Sequence, residues 1–223
     1  MAEAGPDEVD VLLLLAVDVS RSMDEEEARL QREGYAAALS DPMVHEAIRG
    51  GALGAVALAY FEWSGTEHQS LLVPWTRIDS PARAGAVADR LRSTPLAIGT
   101  WTSISAALDH ARLLLAEAPF AADRRVVDVS GDGVNNSGGA VEEARDRAVA
   151  AGITINGLPV TKDPPVRFPG AASVPLDEYY REQVVGGPGA FVVPAEDFAS
   201  FGQAVRRKLI LEIAGVAPSG AAA

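Results

Sequence analysis

The stretch Val11-Leu-Leu-Leu-Leu-Ala-Val-Asp-Val-Ser-Arg-Ser-Met-Asp24 decides how this chain is read. Its apolar run, Val11 to Val17, stops abruptly at Asp18, Ser20 and Ser22, one acid and two hydroxyls at alternate positions. A continuous apolar run of this length, bounded by Asp10 and Asp18, predicts a strand buried on both faces. Its end would then present oxygen ligands to a metal ion. Two further segments add to the set: Gly99-Thr-Trp-Thr-Ser103 offers Thr102, and Ser130-Gly-Asp-Gly133 offers Asp132, each at a junction between elements. The five oxygens of Asp18, Ser20, Ser22, Thr102 and Asp132 predict one divalent cation site.

The rest of the chain is consistent with a full α/β core. It has 223 residues, of which 48% are hydrophobic, and this length favours one domain over two small ones. Formal charge is -12, from 19 basic and 31 acidic residues, so the long-range field repels nucleic acid and anionic membrane surfaces while enriching divalent cations. No cysteine is present, which excludes disulfides, thiolate metal sites and cysteine nucleophiles. Val11 to Val17 is too short to span a bilayer, and the leading Met-Ala-Glu-Ala-Gly-Pro-Asp-Glu lacks the positive start of a signal peptide, so a soluble chain without membrane insertion is expected.

Runs rich in Val, Ile and Leu predict six strands: Val11 to Val17, Gly54 to Trp63, Ser70 to Trp75, Arg125 to Ser130, Ile153 to Leu158 and Ala190 to Val193. Helical patterns lie at Glu25 to Leu39, Ser80 to Leu91, Ser103 to Leu115, Ala140 to Ala150, Asp177 to Val185 and Ala195 to Ala214. Alternation of the two predicts a mostly parallel, doubly wound sheet with helices on both faces. Only the second and third strands are joined by a short polar loop, and they are read as an antiparallel pair with the third at an edge. In such a sheet the functional crevice lies at the carboxyl ends of the strands, where Asp18 and Asp132 both fall.

Asp18-Val-Ser-Arg-Ser22, Thr102 and Asp132-Gly133 together resemble the metal-ion-dependent adhesion site of von Willebrand factor type A (VWA) domains. The resemblance covers nearly the whole chain and implies one domain over 9–215, with flexible ends at 1–8 and 216–223, and sheet order 3-2-1-4-5-6. Asp128-Val-Ser-Gly-Asp-Gly-Val-Asn-Asn136, Ile155-Asn-Gly-Leu158, Tyr179-Tyr180 and Gly186-Gly-Pro-Gly-Ala-Phe191 are similar to a bacterial VWA branch known only as a domain of unknown function. The resemblance implies that Ser20, Ser22 and Thr102 bind the ion directly, while Asp18 and Asp132 hold metal-bound waters or bind directly in another state. Hard oxygen donors and retained waters point to Mg²⁺, with Mn²⁺ or Ca²⁺ also accommodated. An open coordination position implies a protein partner that supplies an Asp or Glu carboxylate. Exported relatives imply a periplasmic or secreted location, with the cytoplasm as the other possibility.

Each segment also has a plainer reading, with Ser20 and Ser22 as helix caps and Asp18 as a strand end. Three segments of the right residue types, in the right order, weigh against that reading taken jointly. The chemical alternative is a Mg²⁺-dependent phosphohydrolase of the haloacid dehalogenase type using Asp18, but such an enzyme needs a second carboxylate where Ser20 stands. Gly131-Asp-Gly133 with Gly138-Gly139 matches neither the dinucleotide fingerprint nor the P-loop spacing. Asp128, inside an apolar strand, requires a buried partner, a backbone donor or an Arg. Asn135 and Asn136 are expected to shape the loop after Asp132, Trp63 and Trp101 to line the site mouth, and His45, His68 and His110 to be structural.

Overall fold

The computed structural model describes residues 7–161 and 174–216. The strands are β1 (Leu12–Asp18), β2 (Val56–Trp63), β3 (Gln69–Ile78), β4 (Arg125–Gly131) and β5 (Thr154–Pro159). The helices are α1 (Glu25–Leu39), α2 (Pro42–Arg49), α3 (Pro81–Ser93), α4 (Ile104–Ala116), α5 (Val141–Ala150), the short α6 (Leu176–Tyr179) and α7 (Phe201–Ala214). They form one mixed sheet in the order β3-β2-β1-β4-β5, in which β1 pairs in parallel with β2 and β4, β4 with β5, and only β2 with β3 is antiparallel.

β1 is central, and every one of its residues is buried. Its side chains alternate between two cores: Leu13, Leu15 and Val17 pack under α1, α2, α3 and α7, while Leu12, Leu14 and Ala16 pack under α4, α5 and the segment around Tyr180. That division explains the unbroken apolar run, since a strand covered on both faces has no solvent side to mark with polar residues.

The sheet departs from expectation at its far edge, where Ala190 to Val193 is not a sixth strand. The segment lies along β5 but touches it only through isolated bridges, Gly157 with Val192 and Val160 with Ala195. Val193 donates to the Gly157 carbonyl at 3.0 Å and Ala195 to that of Pro159 at 2.9 Å. Pro159 has no N–H to donate back to this segment, so the ladder cannot continue, and Gly186-Gly-Pro-Gly189 turns sharply just before it, with positive φ at Gly187 and Gly189.

Other boundaries moved for local reasons. α7 starts at Phe201 rather than Ala195, because Asp197 Oδ1 accepts from the Ser200 N–H at 2.7 Å and holds the preceding residues in a turn. The helix expected over Asp177 to Val185 is α6 followed by a π turn, Tyr180–Val184, in which Val185 donates to the Tyr180 carbonyl at 2.9 Å. α2 was not anticipated; Asp41 caps it by accepting from Met43 N at 2.8 Å, and Pro42 occupies the first helical position. Of the expected flexible ends, 1–6 and 217–223 lie outside the described residues, whereas Glu8 forms a bridge with Ala121 and Val216 donates to the Leu211 carbonyl at 3.0 Å.

Candidate metal centre

The chain leaves β1 toward α1, on one face of the sheet, and leaves the neighbouring β4 toward α5, on the other. A crevice therefore opens between the carboxyl ends of these two strands, where Asp18 and Asp132 stand. Val19 donates to the Trp63 carbonyl at 2.8 Å, and its own carbonyl accepts from Gly99 N at 2.8 Å, so the loop carrying Thr102 is tied to the end of β1. Behind Asp18, Gln31 Nε2 of α1 donates to the Asp18 carbonyl at 2.7 Å. The capping box of α1, in which Asp24 and Glu27 each accept from the other's N–H at 2.9 Å, fixes where the helix begins and so the length of the loop bearing Ser20 and Ser22.

Four of the predicted residues form one connected cluster. Asp18 Oδ1 accepts from Ser20 N at 2.7 Å, Ser20 Oγ and Ser22 Oγ are 2.9 Å apart, and Ser22 Oγ donates to Asp132 Oδ1. Thr102 adjoins this cluster across Gly133, whose absent side chain would stand 3.9 Å from Thr102 Oγ1. Asn136 secures Thr102 on both sides: its Oδ1 accepts from Thr102 N and its N–H donates to the Thr102 carbonyl, each at 2.9 Å. Asn135 Oδ1 accepts from Ser105 N at 3.2 Å, so both asparagines shape this loop as the sequence suggested.

Burial makes this arrangement electrostatically unusual. Asp18, Ser20, Thr102 and Asp132 are buried, and Ser22 is half-buried. Burial, and next the charge of Asp132, push the Asp18 carboxyl well above the ordinary carboxylate range, against the opposing pull of Ser20. Asp18 Oδ2 is buried and has no hydrogen-bond partner within normal geometry among the described residues. A buried oxygen in this state costs about 1–3 kcal/mol unless something else satisfies it.

Comparison with known proteins places this geometry. A family model described as protein of unknown function (DUF1194) matches residues 8–217. The chain belongs to the DUF1194 family. No curated protein sequence matches it. Among solved structures, it is similar to proximal thread matrix protein 1 of the mussel byssus with a zinc-occupied MIDAS motif, at TM-score 0.66 and 15% identity over 93% of this chain and 48% of that one. It is also similar to a von Willebrand factor type A protein from Catenulispora acidiphila, at TM-score 0.64 and 14% identity over 92% of this chain and 43% of that one. BatB from Bacteroides thetaiotaomicron aligns at TM-score 0.59 and 20% identity over 92% of this chain and 99% of that one. The chain thus spans about half the length of the first two and nearly all of the third, and its fold is that of a VWA domain.

Within this DUF1194 domain the donor set fits a hard cation. Two carboxylates and three hydroxyls, all hard oxygen donors, converge at the carboxyl ends of β1 and β4. Among the described residues no three His, Cys, Asp or Glu side chains gather, so a search for acid and imidazole clusters alone passes this site by. A divalent ion would place positive charge beside the two buried acids and give the orphaned Asp18 oxygen a partner.

Two sequence expectations change here. Trp63 does not line the mouth but faces the interior core, fully buried, because its position in β2 points toward α4. Asp128 pairs with neither an Arg nor a backbone donor but with Lys208 of α7, at 2.8 Å. Trp101, by contrast, is 59% exposed beside Thr102. Gln31, Asn136's double hold on Thr102 and the buried Tyr180 were not legible as site residues, because each acts through contacts distant in sequence. His110 packs edge-on against Phe61 with ring centroids 5.1 Å apart, a structural role.

Among the described residues, no helix is long and apolar enough to cross a membrane.

Proposed function

We propose that this domain is a divalent-cation-dependent protein-binding module in which Asp18, Ser20, Ser22, Thr102 and Asp132 hold the ion and a partner's Asp or Glu carboxylate completes its shell. The observation that carries this reading is the Asp18–Ser20–Ser22–Asp132 cluster, with two buried acids linked through two serines and an orphaned oxygen on Asp18. When bound, the ion would offer a Lewis-acidic position to an incoming carboxylate. Asp18 and Asp132 would carry the compensating charge, the three hydroxyls would leave the ion electrophilic, and Asn136 would keep Thr102 in place. Hydroxyl-rich oxygen ligation favours Mg²⁺, with Mn²⁺ a close second and Ca²⁺ less well matched.

The surroundings favour a particular partner chemistry. Trp101 and Ile98, respectively 59% and 39% exposed, flank Thr102 as an apolar patch. Asp24, the cap of α1, Glu25 and Glu26 in its first turn, and Glu67 on the loop between β2 and β3 are exposed. A carboxylate set beside an apolar residue and among basic ones suits this rim, since a densely acidic partner would be repelled by it and by the net charge of -12. We place such a module in a periplasmic or secreted setting, where the partner would be met.

Titration calorimetry of metal-stripped protein with Mg²⁺, Mn²⁺ and Ca²⁺ tests the reading. One equivalent of saturable binding, lost in Asp18→Ala and Thr102→Ala, is expected. Mg²⁺-dependent phosphatase turnover abolished by Asp18→Asn would instead establish the hydrolase.

A further inference from the structure

We infer that Tyr180 is a positioning residue of the metal centre: its phenol, directly or through one ordered water, holds the second oxygen of Asp18 and so sets the affinity for the ion. This rests on the metal reading above.

The two groups meet at Gly131, the last residue of β4. An added methyl there would stand 2.8 Å from the Tyr180 hydroxyl oxygen and 2.9 Å from Asp18 Oδ2, so both oxygens crowd one point that only glycine leaves open. Both side chains are wholly buried, and both of these oxygens are without a hydrogen-bond partner. Two orphaned polar atoms would each cost free energy in isolation; placed around one gap, a hydroxyl donor and a carboxylate acceptor satisfy each other or share a water. Asp18 Oδ1 is already committed to Ser20 N at 2.7 Å, so Oδ2 is the oxygen left to be steered.

The backbone around Tyr180 is built for this placement. Tyr180 begins the π turn Tyr180–Val184, and such insertions re-aim a side chain relative to a regular helix. Its ring lies against Gly157 of β5, where a methyl would come within 2.7 Å of Cδ1, so a second glycine admits it beneath the site. The adjacent Tyr179 reaches the same loop, accepting from Asn135 N at 3.2 Å. Phenylalanine would fill the same space, so packing alone gives no rationale for the hydroxyl, which adds a polar atom to bury.

The test is Mg²⁺ titration of wild type, Tyr180→Phe and Gly131→Ala, with tyrosine difference absorbance recorded on Mg²⁺ addition. Partners that orient a metal ligand typically contribute 10- to 100-fold in affinity, so Tyr180→Phe is expected to weaken Mg²⁺ roughly 10- to 100-fold. Its metal-free melting temperature should be unchanged or higher, and the difference spectrum of wild type should be absent from it. Gly131→Ala should weaken Mg²⁺ as well, through the same two oxygens. Wild-type affinity in Tyr180→Phe, or a wild type with no tyrosine signal on Mg²⁺ addition, overturns the inference while leaving the metal site standing. No Mg²⁺ binding in wild type removes the metal reading and this role together.

Discussion

Two pairs of buried carboxylates lie on opposite faces of the same sheet, and they are treated differently. Asp128 of β4 and Glu212 of α7 are both buried with Lys208 between them, 2.8 Å from Asp128 Oδ1 and hydrogen-bonded to Glu212. Asn156 also donates to Glu212 Oε1, at 2.9 Å. Likewise Glu62, buried at the end of β2, receives two hydrogen bonds from Arg32, at 2.6 and 2.9 Å. Asp18 and Asp132 are also buried, and they are linked to each other through Ser20 and Ser22. Where the chain uses buried acids to dock a helix or tether a loop, it sets a cation against them; in the crevice it links them through Ser20 and Ser22 and leaves Asp18 Oδ2 unsatisfied, which suits an exchangeable ion.

The sharpest way to break that comparison is to remove the encoded cation. Lys208→Met leaves two buried acids facing each other, and losing one partner of a buried ion pair costs about 3–5 kcal/mol. Urea denaturation of this variant should show a loss of that size. Metal-free Asp18→Asn should lose nothing or gain slightly, since it removes a buried charge that Asp132 repels. Comparable losses in the two variants would mean that the crevice acids are structural as well.

A pH series sharpens the same contrast with a smaller effect. Burial raises Glu212 from 4.5 to about 7, partly countered by Lys208, and Asp128 moves in the same direction. The folded chain therefore keeps the Glu212 proton across a range where the unfolded chain has released it, so stability should fall as pH rises from about 4.5 to about 7. At 1.36 kcal/mol per pH unit the fall is at most about 3 kcal/mol. Glu212→Gln should flatten the slope in denaturation midpoints measured across that window; an unchanged slope would assign it elsewhere.

These contrasts also show what one sequence can reveal. β1 and the Asp18, Ser20 and Ser22 triplet were legible because strand burial and ligand spacing are both written in consecutive residues. Thr102 and Asp132 followed because each sits beside a loop signal at an element boundary. Lys208 was not legible as the partner of Asp128, because 80 residues separate them and only the packing of α7 on β4 joins them. The sixth strand was misread for the opposite reason: Ala190 to Val193 has strand composition, but the N–H that a ladder requires is missing at Pro159, and that deficit depends on which strand lies alongside.

Loading the crevice should supply what Lys208 supplies to the other pair. An ion that binds only the folded state, present at 100 times its Kd, stabilises it by about 2.7 kcal/mol. Thermal melts of metal-stripped protein with added Mg²⁺ should show this gain in wild type and lose it in Asp18→Ala and Thr102→Ala. A gain that survives in both variants would place the bound ion elsewhere on this acidic surface.

The smallest stability effect is expected at the rim, where Trp101 separates binding from folding. Its side chain is 59% exposed and rests on Gly65, so Trp101→Ala should change stability by no more than about 0.5 kcal/mol and leave Mg²⁺ affinity intact. Trp63 is buried, which makes Trp101 the better reporter of events at the mouth. Acetate, the simplest carboxylate, added to the Mg²⁺-loaded protein should perturb tryptophan emission, and it should do so neither without Mg²⁺ nor in Trp101→Ala. A response that persists without Mg²⁺ would trace to the exposed indole alone, and carboxylates would then have no privileged access to the ion. A response confined to the loaded wild type would tie metal, indole and carboxylate to one contact, at the carboxyl ends of β1 and β4.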